Sequence, residues 1–383
     1  MSNHSISIWE KEIYFKAFDV IVVGSGIVGL NAAISLLESE PNMRIGIVDR
    51  WYYPLGASTR NAGFATFGSL SELSADIKSR GWENSLALIE KRWKGLQKLL
   101  QRVRPEQIDF QKNGGYELFT KEDQSRYEES VDLMDELNVH LKSIVGENGQ
   151  FRPAYGEAVS GMSAELIDHV IHCPSEGYLH PGKLIKTLSR KAQEMGVEIF
   201  GPFTVTGWEQ QGSSVSVRAK EGISLNTKIL LFATNGFTRK LLPELEVLPA
   251  RNQVLLTEPI SGLAWKGCFH AREGYYYFRD FRSRILLGGA RNEDIDGETT
   301  DQFGSSDSIQ LALKQYLKNV IMNGREVKIE ESWSGILGVG KEKKPIIRRV
   351  EERIYCAVRL GGMGIAIGSQ VGEDAAQLIL QHN

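Results

Sequence analysis

The chain has 383 residues, 42% of them hydrophobic and 24% charged, enough to bury a sizeable core and to predict two domains of a globular, enzyme-sized protein. Its 45 basic residues stand against 48 acidic ones, a net charge of −3, which excludes the broad basic footprint that nucleic acid or an anionic membrane surface would need.

The segment ahead of Asp19 carries Glu10, Lys11, Glu12 and Lys16 and does not read as a secretion signal, because it lacks an apolar stretch and a small-residue cleavage site. No run of about eighteen apolar residues occurs, so no integral membrane segment is expected. The apolar run starting at Asp19 feeds directly into Gly24-x-Gly26-x-x-Gly29 and then into a helix-forming segment, 27–39. In such a cradle Gly24 permits the tight strand-to-helix turn. Gly26 lets the backbone approach a pyrophosphate, and Gly29 lets the helix pack closely on the sheet. The helix turns unsatisfied N–H groups and the positive end of its dipole towards the phosphates. Pro41-Asn42 breaks it, and 43–48 reads as a second buried strand ending in Asp49, twenty residues beyond Gly29. A carboxylate there accepts hydrogen bonds from a ribose diol and repels a 2′-phosphate, which leaves FAD and NAD as candidate ligands.

A glycine- and hydroxyl-rich loop follows at 53–63. Leu86, Ile89, Trp93, Leu96, Leu100 and Val103 then recur at helical spacing and predict an amphipathic helix packed on its own domain. Asn113-Gly-Gly115 between 107–110 and 116–119 predicts two short strands around a turn, with helix to about residue 141. Pro181 opens a helix reaching Met195; 197–217 reads as sheet, and 227–236 as a buried strand ending in a polar turn. Sheet is expected again across 251–290, and 353–358 is a last strand leading through Gly361-Gly-Met-Gly364 into a helical tail, a second ligand-cradling corner. Cys173, Cys268 and Cys356 are odd in number and widely spaced; they predict neither a disulfide framework nor a metal site, and suit a reducing cytoplasm.

Taken in order, Gly24-x-Gly26-x-x-Gly29, Gly56-Ala-Ser-Thr-Arg-Asn-Ala-Gly63, Gly177-Tyr-Leu-His-Pro, Ala233-Thr-Asn-Gly236, Trp333-Ser-Gly335 and Gly361-Gly-Met-Gly364 resemble the D-amino-acid oxidase superfamily of FAD-dependent oxidoreductases over nearly the whole chain. Within it they look most like gamma-glutamylputrescine oxidase-like members. The resemblance implies an α/β fold: a discontinuous Rossmann-like FAD-binding domain (1–78, 155–245 and 332–383) with an inserted α+β substrate domain on a mixed or antiparallel sheet (79–154 and 246–331). It implies noncovalent FAD held by Gly24, Ser25, Gly26, Ile27, Val28 and Gly29 at the pyrophosphate. Asp49 and Arg50 would lie at the adenosine ribose, and Ser58, Thr59, Arg60, Asn61 and Gly63 along the pyrophosphate and flavin edge. Val205, Ala233, Thr234 and Asn235 would lie near adenine, with Gly335 in the Trp-x-Gly segment. Backbone N–H groups across Gly361, Gly362, Met363, Gly364 and Ile365 would face flavin N1 and the C2 carbonyl.

The implied reaction is FAD-dependent oxidation of a C–N bond in an amine or amino-acid-like substrate. Hydride passes to flavin N5 to give an imine, with oxygen or a quinone as the next acceptor. Along the strand at 275–278, Tyr276 and Phe278 share one face and Tyr275 and Tyr277 the other. Ungapped matching of the 275–290 hairpin puts Tyr276 at an active-site tyrosine, with a packed aromatic sheet as the ordinary alternative and the face that meets the flavin left open, and Arg60 is the second catalytic candidate. One departure stands out: family members that oxidise α-amino acids carry a carboxylate-clamping arginine where this chain has Leu337, which favours an amine or an N-substituted amino acid. Arg60, Arg279 and Arg359 are candidate replacements, each with an ordinary structural alternative. His180 is either a neighbour of the cofactor or a helix-start residue, and Lys341, Lys343, Lys344, Arg348 and Arg349 form either a solvated loop or a rim that draws in anions. Cys356, in an apolar strand, reads as core rather than as a flavin anchor. An NAD-linked dehydrogenase, or a flavoprotein with a decayed substrate site acting as an assembly factor, are the alternatives.

Overall fold

The computed structural model describes residues 6–154 and 156–382. Phe18–Val23 sits at the centre of an eight-stranded sheet, with Ile45–Val48 and Glu198–Phe200 on one side and Ser224–Phe232 and Ile354–Val358 on the other, all parallel. Parallel strands need crossovers that cover both faces, so Ile45–Val48 and Ile354–Val358 are continuous buried apolar runs, whereas Ser224–Phe232 alternates exposed and buried residues where it pairs with an antiparallel hairpin and becomes continuously buried from Ile229 on. Ile346–Glu351 adds an antiparallel edge, and the hairpin Val205–Gln211/Ser214–Ala219 pairs with the start of Ser224–Phe232. Ile27–Ser39, Pro181–Glu194 and Gly364–Leu380 are the principal covering helices.

The second sheet runs Ile329–Val339, Leu248–Thr257, Arg284–Gly289, Tyr276–Phe281, Cys268–Ala271, Gly115–Thr120, Ile167–Cys173, Arg152–Pro153. It is antiparallel except where Cys268–Ala271 meets Gly115–Thr120. Asp307–Tyr316 and the wide turn Leu317–Ile321 cover one face, burying Ile309, Leu313 and Ile321 against Phe269, Phe278 and Leu287. The rings of Phe269 and Phe278 stack there at 4.8 Å.

Helix 27–39 is found as Ile27–Ser39, and the amphipathic helix as Trp82–Arg102. The latter buries Leu88, Leu96 and Leu99 in the core under the parallel sheet and Ile89 in a separate cluster. Arg102 at its end donates to Asn31 Oδ1 at 2.7 Å and Ser35 Oγ at 2.6 Å, tying it to Ile27–Ser39. The strand expected at 107–110 does not form. Pro105 starts the 3-10 turn Pro105–Ile108 and Asp109 closes it in the left-handed region, leaving Gly115–Thr120 to pair elsewhere. Among the described residues no helix is long and apolar enough to cross a membrane.

Candidate active site

Two glycine corners define the site. At the first, Gly24 takes φ +110° and a Cβ on it would lie 2.8 Å from the Ala233 carbonyl; a Cβ on Gly29 would lie 2.0 Å from the Gly24 carbonyl. The helix therefore starts hard against the strand end, and side chains are excluded on packing grounds alone. Its N-cap, Gly26, has no side chain to offer, and Ile27 N donates instead to Ser58 Oγ at 3.0 Å, a hydroxyl from the short helix Ala57–Arg60. Asp49 accepts from Ser25 N at 2.9 Å, Ser25 Oγ at 2.6 Å and Trp51 N at 3.2 Å. An ionised carboxylate has about four acceptor sites, so one remains for a ligand hydroxyl.

The second corner, Gly361 to Ile365, opens the helix Gly364–Leu380, whose first N–H groups have no side-chain cap. Asn235 connects the corners. It follows Ser224–Phe232 with φ 42°, and its Oδ1 accepts from Leu360 N at 3.3 Å. A cavity of about 800 Å³ runs between them, within the range of small-molecule and cofactor sites.

More of the cavity wall comes from the second sheet, from the short strand Phe64–Ala65, from the loop after Val339 and from helix Leu70–Arg80. Phe64, Tyr275, Tyr277, His270 and Asn252 line it, with Leu337 opposite Gly362, where a Cβ would lie 3.8 Å from Leu337 Cδ1. Asn252 Nδ2 donates to Tyr277 Oη at 3.1 Å, leaving the phenol proton free to be donated, and burial pushes that phenol's pKa up so that the proton stays. Burial pushes His270 down to about 4, although nearby Glu72 works the other way, so the imidazole is neutral. Its Nε2 and Asn252 Oδ1 are buried without partners. On helix Leu70–Arg80, burial opposes ionisation of Glu72, but Arg92 and Lys343 outweigh it and hold the carboxyl at about 2. Lys343 lies 3.2 Å from Glu72 and 2.8 Å from Asp76.

The family model for the DAO, FAD-dependent oxidoreductases matches residues 19–378. The chain belongs to that family. Similar proteins include the probable oxidoreductase OrdL of Haemophilus influenzae, 22% identical over 94% of this chain and 83% of that protein, and the gamma-glutamylputrescine oxidoreductase of Escherichia coli, 23% identical with the same coverage. Among solved structures, L-proline dehydrogenase from P. horikoshii superposes with a TM-score of 0.76 at 17% identity, covering 96% of this chain and 94% of that one. Iminodiacetate oxidase from Chelativorans sp. gives 0.75 at 18% identity, covering 94% and 95%.

FAD is accordingly the cofactor of this DAO-family protein, and the residues present fit it: two glycine-rich helix starts, Gly26-Ile27 and Met363-Gly364, line one cavity, and Asp49 on the same wall keeps a spare acceptor. Of the residues expected at the cofactor, Gly24, Gly26, Ile27, Val28, Asp49, Arg50, Ser58, Arg60, Asn61, Val205, Ala233, Thr234, Asn235, Gly335, Gly361, Gly362, Met363, Gly364 and Ile365 line the cavity. Ser25, Gly29, Thr59 and Gly63 do not. Ser25 orients Asp49, Thr59 Oγ1 donates to the Pro54 carbonyl at 2.7 Å, and Gly29 and Gly63 are closed over by the carbonyls of Gly24 and Leu179.

Tyr276 is a correction. It points away from the cavity into the core behind the sheet, stacked on Tyr316 at 4.5 Å with its hydroxyl 3.2 Å from Glu293 Oε1. Side chains alternate along a strand, so the opposite face, Tyr275 and Tyr277, meets the cavity. Arg60 does line it, its Nη1 donating to the Ser334 carbonyl at 2.9 Å and its guanidinium over Phe303. Arg279 is buried over the Tyr178 ring outside the cavity wall, and Arg359 is held by Glu246 and Glu342. His180 caps Pro181–Glu194, and Cys356 is buried in the central sheet. Of the basic patch, Lys341 and Lys343 line the cavity. Arg291 and His270 were not anticipated: His270 carries no motif, and the turn after Gly289 that presents Arg291 has no sequence signature.

Proposed function

We propose that this flavoprotein oxidises the C–N bond of an amine or amino-acid-like substrate. The observation that carries the reading is the wall of Phe64, Asn252, His270, Tyr277 and Leu337, which shares one cavity with the C-terminal glycine corner. The relatives named for gamma-glutamylputrescine, iminodiacetate and proline support the substrate class. Bound FAD supplies the two-electron acceptor for the C–H bond beside nitrogen.

The chain's own contribution is placement and polarity. The starts of Ile27–Ser39 and Gly364–Leu380 offer backbone N–H groups and dipole ends to negative charge; the first would meet the phosphates of bound FAD and the second would stabilise the charge that reduction builds. Asp49 would take a ribose hydroxyl, and Ser58 and Arg60 would line the pyrophosphate passage. Tyr277, held by Asn252, donates a hydrogen bond into the substrate space, while neutral His270 accepts one from a substrate N–H. Phe64, Tyr277 and Leu337 keep bulk water from the reacting carbon. In the division into units we propose, strands Ile167–Cys173 and Ile329–Val339 and their sheet partners form the substrate unit, and Trp82–Arg102 joins the FAD unit through Arg102. Oxygen or a quinone completes turnover, in the cytoplasm.

An anaerobic screen of amines, N-methyl amino acids and D-amino acids, read as loss of flavin absorbance, tests the reading. Bleaching by a member of the panel supports it, and a flavin that stays oxidised with all of them overturns it.

A further inference from the structure

The charges on the cavity wall do not balance. Its acidic side chains all have partners: Asp49 with Ser25, Glu72 and Asp76 with Lys343, Glu273 with Arg126, and Glu342 with Arg359. Among the described cations on the wall, Arg80, Lys240 and Lys343 are ion-paired and Arg50 lies over two aromatic rings, while Arg60 donates to the Ser334 carbonyl with its Nε unpartnered and falls to the pyrophosphate in the reading above. Lys341 and Arg291 have no side-chain partner among the described residues, and Lys341 is exposed whereas Arg291 is half-buried. A half-buried guanidinium without a counter-charge, in a wall whose carboxylates are all engaged, is a vacancy for an anion.

The backbone is bent to present it. Arg291 follows strand Arg284–Gly289 through Ala290, a fully buried non-glycine residue in the left-handed region at φ 57°, pinned by its N–H to the Tyr275 carbonyl at 2.7 Å. Such strained residues persist where the surroundings enforce them. Leu337 pairs with Ala250 and Gly289 with Gln253 on the intervening strand. Those pairing points lie three residues apart along it, so with strands about 4.8 Å apart and about 3.4 Å per residue the backbone at Gly289, two residues before Arg291, stands roughly 14 Å from that at Leu337.

We infer that the substrate carries a carboxylate remote from the oxidised carbon, and that Arg291 is the side chain that binds it. This rests on the C–N oxidation reading: Leu337 leaves an α-carboxylate without a clamp, while an ω-amino acid or an N-(carboxyalkyl)amine reaches Arg291.

Two measurements on the FAD-loaded protein test the inference. In the first, glutarate, which cannot be oxidised, is titrated while the flavin spectrum is followed. It should perturb the spectrum, with Kd raised at least tenfold by Arg291→Met, partly restored by Arg291→Lys and unchanged by Lys341→Met. In the second, anaerobic flavin reduction compares 4-aminobutyrate with butylamine and 5-aminovalerate with pentylamine. The acids should be favoured at least tenfold in wild type and not in Arg291→Met, through KM rather than kcat. No glutarate binding, or equal binding by Arg291→Met, overturns the site whatever the amines do. Glutarate binding through Arg291 with no reduction by any amine leaves the anion site standing and removes the C–N oxidation reading instead. Equal reduction by each acid and its alkylamine overturns the assignment of a remote carboxylate.

Discussion

Replacing Gly29 by alanine tests the nucleotide corner at its tightest point. The added Cβ would sit 2.0 Å from the Gly24 carbonyl oxygen and 3.1 Å from Val22 Cγ1. Real Cβ contacts do not fall below 3.0 Å, so the start of Ile27–Ser39 must retreat by about 1 Å, and the obstacle is main chain that cannot rotate away. Overpacking of this kind costs roughly 1–3 kcal/mol. For a chain of this length, about 2.1 cal/mol/K per residue of unfolding entropy converts that to a fall in Tm of roughly 1–4 °C. If the same displacement is also lost from the phosphate contacts, FAD binding weakens roughly tenfold to hundredfold. The assay is FAD titration of apoprotein by flavin fluorescence, beside a thermal melt, with Gly207→Ala as control. At Gly207 the nearest obstacle is the end of the Arg218 side chain at 3.3 Å, in a hairpin outside the cavity wall. Wild-type affinity and Tm in Gly29→Ala would refute the close approach of helix to strand.

Tyr277→Phe should slow anaerobic flavin reduction by an amine substrate roughly tenfold, since it removes the donor held by Asn252. Tyr276→Phe should leave that rate alone and cost about 1 kcal/mol of stability, the bond to Glu293; the reverse ranking would restore the sequence-based assignment. Burial raises Glu176 to about 8 and Glu117 to about 7, although backbone or serine donors partly oppose it in each. Folded pKa values above the unfolded ones mean stability that is complete below pH 4.5 and is lost as pH rises through 7 to 8. Glu176→Gln should therefore flatten the fall in Tm between pH 5 and 8.5, and an unchanged slope would count against that buried acid. All three cysteines are buried and outside the cavity wall. Acid precipitation should leave the yellow cofactor in the supernatant, and thiol reagents should react only after unfolding; flavin carried down with the protein would contradict noncovalent binding.

What could be read from the sequence is what is local in the chain. Gly24-x-Gly26-x-x-Gly29, the helix 27–39 and Asp49 form a contiguous unit whose turn, dipole and spacing are properties of neighbouring residues, and Pro181 and Gly361-Gly362 mark their helix starts in the same way. Strand alternation likewise separates Tyr276 and Phe278 from Tyr275 and Tyr277. It carries no information on which face meets the ligand; that was decided by the helix Asp307–Tyr316, which buried the Tyr276 face. Which arginine stays free was equally a matter of the fold, because Arg359 is neutralised by Glu246, more than a hundred residues away, and Arg279 is buried over Tyr178. Trp82–Arg102 shows apolar spacing but not its partner, which Arg102 selects through Asn31 and Ser35. Short-range backbone geometry is thus written in the order of residues, whereas facing and charge compensation depend on groups that only folding brings within a few ångströms.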